Sequence, residues 1–338
     1  MDNSSNFKSR VTIYEVAKAS GYSLATISRV INNKSNVQEE TKQKILETIK
    51  RLGYKPSALA QGLAKSKSTN IGIVLPSHNY VYLSNVLSGM ADIAKIYGYQ
   101  TTLFLINQDR DEVNEVIDKL ISSHVDGAIL FDDILTENDL KEISHYSIPC
   151  VFIDHCVVDD NCASISLEYE NAIRQIVSEH FECGNEKIYF LHLSNSSYLM
   201  DQLKAVAQDE VIKLSKPDLF EIIEINDFYD DTYVFFNEFF KNVRNGCFIA
   251  PRDSISCAVV NAALDNNLKI PNEIQIMSVI GTKYSKIMRP QLSAIHIDMY
   301  EVGSIAMRML TKLFDNSLKQ KNFVFKAEVV NRSSTRKK

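Results

Sequence analysis

Residues 10–33 read RVTIYEVAKASGYSLATISRVINN, and this stretch decides how the first part of the chain folds. Thr12-x-x-Glu15 is a capping box, so a helix should start at Thr12. Val16, Ala17 and Ala19 give that helix an apolar stripe. Gly21 supplies a sharp stop, and Ser23 is a good N-cap for a second helix. The second helix carries Ile27, Val30 and Ile31 on its inner side, which leaves Leu24, Ala25, Thr26, Ser28, Arg29 and Asn32 facing outward. Two short helices joined by a tight turn, presenting small residues and one Arg at the start of the second, form a reader of the DNA major groove. The plainer alternative is a helical hairpin in some other core.

The rest of the chain favours the reader. Formal net charge is −5, which by itself argues against nucleic acid. The distribution reverses that. Residues 1–70 hold 12 Lys+Arg against 5 Asp+Glu, a net of +7, and residues 71–338 hold 25 against 37, a net of −12. A small basic unit on a large acidic one is the electrostatic footprint of a DNA-binding head on a sensor body. Gln38 to Leu52 reads as a third amphipathic helix, with Ile45, Leu46, Ile49 and Leu52 packing inward and Gly53 ending it. Lys42, Lys44, Lys50 and Arg51 lie on its polar side and read mostly as a solvated face. Tyr54-Lys55-Pro56 then leads into SALAQGLAK. Pro56 suits a first helical turn, but so short a segment cannot hold a helix alone in water and should order on binding a partner. Leu59 and Leu63, one turn apart, are then either a wedge for a minor-groove base step or linker side chains packing on the body.

At 338 residues the chain is long enough for two or three domains, and its 45% hydrophobic and 23% charged content is that of an ordinary globular protein. No run of 18 apolar residues occurs and MDNSSNFKSR has no apolar core, so no membrane span or signal peptide is expected, and the expected location is the cytoplasm. The six cysteines, at 150, 156, 162, 183, 247 and 257, form no C-x-x-C pair and are expected to be free, mostly buried thiols. His155, Cys156 and Cys162 fit no standard metal spacing, so neither metal nor cofactor is expected. Strand-like runs at 70–76, 101–107, 125–131, 149–154, 187–193, 220–225, 247–251 and 274–280 alternate with helical stretches at 84–96, 112–123, 169–182, 230–243 and 254–266. This α/β alternation predicts parallel sheets covered on both faces. Eight units exceed one comfortable sheet and suggest two similar lobes, the first ending near residue 165. After Leu292 come one more strand, a helix from Tyr300 to Phe314, and the extended FVFKAEVVNR. Crossing back between lobes gives a hinged cleft, with any ligand at strand C-terminal ends.

From Val11 to Ile73 the chain resembles the head, hinge helix and first strand of the LacI/GalR family of bacterial transcription regulators. The matching pieces are VTIYEVAKASGYSLATISRVINN, TKQKILETIKRLGYKPSALAQGLAKSKS and NIGIVLP. The resemblance implies a small all-α helix-turn-helix head (1–57), a hinge helix and linker (58–70), and a two-lobed periplasmic-binding-protein-like body (71–338). Lobe one would be about 71–165 with 297–325, and lobe two about 166–296 with 326–338. It also implies a homodimer on a double-stranded, pseudo-palindromic operator, with Leu63 of each subunit in the central minor groove. By position, Leu24, Ala25 and Arg29 face bases. Thr12, Ile13, Tyr14, Ser23, Thr26, Ser28, Asn32, Asn36, Gln38, Thr41, Tyr54 and Ser57 match the family's backbone or groove contacts. Arg29 suits a bidentate guanine contact, whereas Leu24 and Ala25 can only touch or exclude methyl groups.

The blocks SISLEYENAIRQIV, IMRPQLS and MYEVGSIAMRMLTKL resemble family members of carbon catabolite control. That implies a protein corepressor, the phosphocarrier HPr phosphorylated on serine, with Arg289 receiving the phosphoserine and Arg308 and Lys283 as further candidates for the same patch. An Arg fork binds phosphate oxygens bidentately. Elsewhere the chain departs from the family. Ser278-Val279-Ile280 stands where Gly-Phe-Asp is usual, and Arg252-Asp253 where Asn-Asp or Thr-Asp is usual, so only Asp253 survives as an effector-binding carboxylate. Gln202 stands nearest to an absent Arg, and Asn185 replaces a His. A cleft without hydroxyl-binding carboxylates is a poor sugar site, so a diverged member answering to another small-molecule effector, or to none, stays open.

An enzyme is the second class. No G-x-S-x-G, P-loop or G-x-G-x-x-G occurs. The pairs Asp132-Asp133 and Asp159-Asp160 have no His motif at useful spacing, and Asp230-Asp231 sits at a helix start where acids complement the dipole. His192 and Ser194 are close in sequence only, and a triad needs geometry. No catalysis is expected. A pure solute-binding protein is the third class, and the basic head argues against it.

Overall fold

The computed structural model describes residues 11–336 except 35, 56–67, 78–82, 107–109, 132–134, 156–158 and 195–197. Internal contacts divide the chain into two units between Thr69 and Asn70, the head and the body. The hinge segment, with Ser57, Leu59 and Leu63, lies largely outside the described residues, as do Asp132, Asp133 and Cys156.

The head is three helices, α1 (Ile13–Ser20), α2 (Leu24–Ile31) and α3 (Glu39–Leu52). The capping box forms as its residues require. The Thr12 backbone N–H donates to Glu15 Oε2 at 2.7 Å, and the Thr12 hydroxyl accepts from the Glu15 N–H at 3.4 Å. Gly21 stops α1 in the left-handed conformation, φ 77°, which a Cβ would disfavour. Two residues later the Ser23 hydroxyl accepts from the Thr26 N–H and starts α2. At the far end Asn33 takes φ 52°, so that Lys34 N–H reaches Arg29 O and Asn33 N–H reaches Val30 O, a Schellman closure. Val16, Ile27, Val30 and Ile45 form the buried centre, ringed by Ile13, Tyr22, Ile49, Leu52 and Tyr54. Two expectations fail here. Leu46 is 44% exposed and Ala19 faces solvent. The inward stripe of α3 is 45, 48, 49 and 52, so Leu46 is one residue out of phase and Thr48 is buried instead, its hydroxyl turned back to Lys44 O.

In the body, lobe one holds β1 (Asn70–Pro76), α4 (Leu83–Tyr97), β2 (Gln100–Ile106), α5 (Arg110–Ser122), β3 (Gly127–Leu130), α6 (Glu137–His145), β4 (Cys150–Ile153) and β5 (Cys162–Glu168). The chain then crosses to lobe two. That lobe holds α7 (Glu170–Cys183), β6 (Ile188–Leu193), α8 (Tyr198–Lys213), β7 (Phe220–Ile225), α9 (Tyr229–Phe239), β8 (Gly246–Arg252), α10 (Asp253–Asp265), β9 (Ile274–Ile280), α11 (Lys283–Ile287) and β10 (Ser293–His296). It returns as α12 (Met299–Phe314) and β11 (Asn322–Lys326) in lobe one, and crosses once more to β12 (Glu328–Val330) in lobe two. Strand order is β11-β5-β4-β3-β1-β2 in one sheet and β12-β10-β9-β8-β6-β7 in the other. Discounting the last strand of each, both lobes have the same doubly wound order, and only β12 runs antiparallel to its neighbour. The central strands are buried on both faces, which is why their sequences are near-continuous apolar runs. The crossovers are tied together where Ala327 N–H donates to Glu168 O at 3.0 Å.

Helices α4 and α12 cross with their backbones in contact. A Cβ on Gly89 would stand 2.0 Å from Tyr300 O, and one on Gly303 would stand 2.1 Å from Val86 O. On the rim of the crossing the Tyr300 hydroxyl donates to Asp92 Oδ2 at 2.9 Å.

Four elements were not singled out in the sequence. Strand β5, CASISLE, carries three polar residues, yet Ser164 is fully enclosed. Helices α6 and α11 are short, and α8 has only a weak apolar stripe. Cys150, Cys162, Cys247 and Cys257 are free and buried, and Cys183 is free and exposed. Burial pushes the Cys162 thiol up to about 11 and that of Cys247 to about 12, so both stay protonated near neutral pH. Among the described residues no helix is long and apolar enough to cross a membrane, and no three His, Cys, Asp or Glu side chains converge on a metal site.

Candidate functional site

Capping at both ends holds α2 so that one face is core and the other open. Ile27 and Val30 are buried, while Leu24, Ala25 and Arg29 are exposed. The Arg29 guanidinium makes no hydrogen bond or ion pair with any described residue, so its planar fork is free to read a base edge. Thr12, Tyr14, Ser23, Asn36 and Gln38 are also exposed around this face, and Ile13, Thr26, Ser28, Asn32, Thr41 and Tyr54 are half-buried. Several of these polar groups already hold one another along α2. The Ser23 and Thr26 hydroxyls are 2.9 Å apart, and Asn32 Nδ2 donates to Ser28 O at 2.8 Å. Ile13 and Tyr54 pack against the head core. The role of Asn33 in closing α2 was not read from the sequence, although an Asn directly after a helix is the available signal. On α3, Lys44 is paired with Glu40 at 2.8 Å, the solvated arrangement expected of that face.

At the carboxyl ends of the lobe-two strands the polar groups are engaged with one another. Arg252 donates through Nη1 to Asp227 Oδ2 at 2.6 Å, through Nη2 to Asp227 O at 2.9 Å, and through Nε to Ser254 Oγ at 2.9 Å. Asp253 does not stand as an effector-binding carboxylate. It is 2% exposed, and its Oδ2 accepts from Thr282 N–H (2.6 Å), Thr282 Oγ1 (2.7 Å) and Ser285 N–H (3.2 Å), which fixes the start of α11. Asp253→Ala should therefore cost about 2–4 kcal/mol of stability, because buried donors are left unpaired. Asp253→Asn should cost less. Chemical denaturation checks this, and a loss under about 0.5 kcal/mol would contradict the capping role. Ile280 packs on the core, adding no polar partner. His192 Nε2 lies 2.9 Å from Asp201 Oδ1 and 3.2 Å from Lys204 Nζ, whereas the Ser194 hydroxyl donates to Ile225 O. No Ser–His pair exists there.

The three cations proposed for one phosphate patch are separated by the fold. Lys283 opens α11 and Arg289 follows its end in lobe two, while Arg308 is exposed on α12 in lobe one. Arg289 Nη1 is folded back on the carbonyls of Lys286, Ile287 and Met288, the nearest at 2.8 Å, where it closes the end of α11. The Arg308 guanidinium has no such contact among the described residues.

Residues 12–57 match the family described as bacterial regulatory proteins, lacI family, and residues 225–335 match the periplasmic binding protein-like domain. The HTH-type transcriptional regulator pepR1 of Lactobacillus delbrueckii subsp. lactis is 31% identical over 97% of this chain and 98% of its own. This chain belongs to the lacI family. Catabolite control protein A of Staphylococcus aureus is similarly related, at 30% identity over 96% of this chain and 99% of that protein. The lac repressor dimer bound to operator and the anti-inducer ONPF shares the fold, with a TM-score of 0.82 at 22% identity over 96% of this chain and 99% of that one. This LacI-family protein is thus a DNA-binding transcription regulator, as its relatives are, and not an enzyme.

Proposed function

We propose that the protein acts in the cytoplasm as a homodimeric repressor of a pseudo-palindromic operator, reading bases through Leu24, Ala25 and Arg29, and that a serine-phosphorylated HPr-like protein is its corepressor. The observation that carries the reading is the capped α2 with an unpaired Arg29 on its open face. Two of these helices, related by a twofold axis, suit two half-sites one helical turn apart.

Lobe one offers a surface for the dimer. The β1–β2 register puts Leu103 opposite Ile73 and Leu105 opposite Leu75, on the side of the sheet that α4 covers. β2 is the edge strand, and there Leu103, Leu105, Ile96 and Tyr97 are all exposed. Apolar side chains grouped in this way mark a contact.

For the corepressor, the open side of α12 carries Tyr300, Arg308 and Lys312. With its fork unengaged, Arg308 fits a phosphate better than Arg289, which already serves α11. Anisotropy of a labelled catabolite-responsive operator, at fixed near-physiological salt with and without the serine-phosphorylated protein, tests the whole reading. Tighter binding with the phosphoprotein is expected. Arg308→Ala should abolish that tightening and leave the phosphoprotein-free affinity within about twofold, while Arg289→Ala should do less. A full response in the Arg308 variant sinks its role. Specific operator binding that ignores the phosphoprotein moves the signal to another small ligand, or to none. The mutual pairing of Arg252 with Asp227 and the engaged Asp253 already disfavour a sugar there.

A further inference from the structure

A cavity of about 40 Å³ lies between the last turns of α7, the first residues of β8 and β9, and residues 331–336. Cys247 and Gln275, register partners near the start of β8 and β9, form its floor, so it opens at the opposite end of the lobe-two sheet from the interlobe cleft. The floor is deep: Gln275 is 5% exposed and Cys247 3%. Gln275 Oε1 accepts from the Arg336 N–H at 2.9 Å, whereas Nε2 has no acceptor among the described residues. An amide donor left unmet at such depth is costly, and a bound acceptor would recover that cost.

The mouth is open and polar. Cys183, the last residue of α7, lines it with a free, exposed thiol. Asn331 is exposed beside it, and its amide has no partner among the described residues. Arg336 bonds Glu186 through Nη1 and Asn272 O through Nη2, and keeps further N–H donors. Glu179 accepts from Gln175 Nε2 with one carboxylate oxygen, at 2.7 Å, and has the other to offer. Donors on Gln275, Asn331 and Arg336 suit a carboxylate, and the spare Glu179 oxygen suits an ammonium group. The site is therefore matched to a small zwitterion next to a thiol.

We infer that Cys183 is a modification site for small amino-acid disulfides of the cystine class, which leave on it a mixed disulfide whose carboxylate is held by Gln275 Nε2. The Cys183 thiolate attacks one sulfur of the small disulfide. A new S–S bond joins Cys183 to one half and the old S–S bond breaks. The other half leaves as a thiolate and takes up the proton that Cys183 gave to solvent. The disulfide itself is the oxidant, so the exchange balances without another. Cys247 does not displace the adduct, because burial pushes its thiol up to about 12 and the attacking species in such an exchange is the thiolate. An internal Cys183–Cys247 bridge would in any case leave the Gln275 donor unmet.

Exchange equilibria decide it. The full chain is equilibrated with cystine and cysteine at a fixed ratio, and intact mass with peptide mapping gives the fraction of Cys183 carrying the adduct. The same exchange in concentrated urea gives the reference for this thiol without its cavity. The folded chain should hold the adduct about tenfold or more above that reference, as a hydrogen-bonded carboxylate requires. Cystamine, the same disulfide without carboxylates, should show no such gain. Gln275→Glu keeps the acceptor for the Arg336 N–H and removes the donor, so its gain should vanish. Asn331→Ala, at the exposed mouth, should lose about half of the gain in free energy and leave the fold alone. Should Gln275→Glu fail to fold, the cystine–cystamine contrast and Asn331→Ala carry the test. Equal gains for cystine and cystamine, a folded value no higher than that in urea, or a Cys183–Cys247 bridge in place of the adduct overturns the inference.

Discussion

Arg29→Ala is expected to erase base discrimination at one position of each half-site while leaving nonspecific DNA binding nearly intact. A bidentate Arg–guanine contact contributes about 1–3 kcal/mol, and a dimer makes it twice, so operator affinity should fall by roughly 30-fold to 20,000-fold. The salt dependence should hardly change, since the slope counts phosphate contacts, and a base reader contributes less than about one unit to it. The structure supports that separation. The Arg29 guanidinium has no partner among the described residues, so its loss leaves no buried group unpaired, and the core residues Ile27 and Val30 sit on the opposite side of the helix. A binding scan over single-base operator variants reads the result directly. Unchanged discrimination at every position would remove Arg29 as a reader, and equal weakening on all sequences would make it a phosphate contact.

Gly89→Ala is expected to destabilise the body by about 2–4 kcal/mol, as overpacking against unyielding backbone does. The sign is informative. In an ordinary helix interior the same exchange stabilises by about 0.5–1 kcal/mol, because alanine loses less entropy. Here the added carbon would lie 2.0 Å from Tyr300 O and 2.9 Å from Ser304 N, neither of which can move without shifting α12. Gly303→Ala should behave alike, for its Cβ would meet Val86 O at 2.1 Å. Thermal unfolding of both variants checks this, with Gly98→Ala as a contrast in which nothing crowds the new carbon and only the left-handed backbone, φ 77°, is strained. A raised melting temperature for Gly89→Ala would show that the helices are not in backbone contact.

The head was legible because each of its parts is set locally. A capping box, a left-handed Gly and a Ser N-cap act over three or four residues, and all three appear in the structure where the letters put them. Leu46 shows the limit of that reading: composition named it a core residue, and helical phase overruled it. Long apolar strands such as IYFLHL were readable for a different reason, burial on both faces. CASISLE was not, since Ser164 is enclosed by elements distant in sequence, and its backbone N–H donates to Lys321 O. Asp253 misled in the same way. As an isolated letter it resembles a ligand-binding carboxylate, and only the return of the chain at Thr282, 29 residues later, shows what it holds. The separation of Arg289 from Arg308 was, by contrast, already contained in the expected lobe bounds, because the chain changes lobes between them, after β10.

The repeated crossing of the chain between lobes has a consequence for the order in which the molecule is made. Chains fold as units while they emerge from the ribosome, and a unit closes only when its last element is out. The head is contiguous and complete once Tyr54 is free. Lobe one lacks its edge strand until Lys326 has been added, and lobe two lacks the Ser334 hydroxyl, which is buried against Ile276 O, until later still. For most of its synthesis the nascent chain therefore carries a finished DNA-binding unit on an open body. A premature stop anywhere between residues 70 and 322 releases that unit with neither lobe closed, a single reader without a signal.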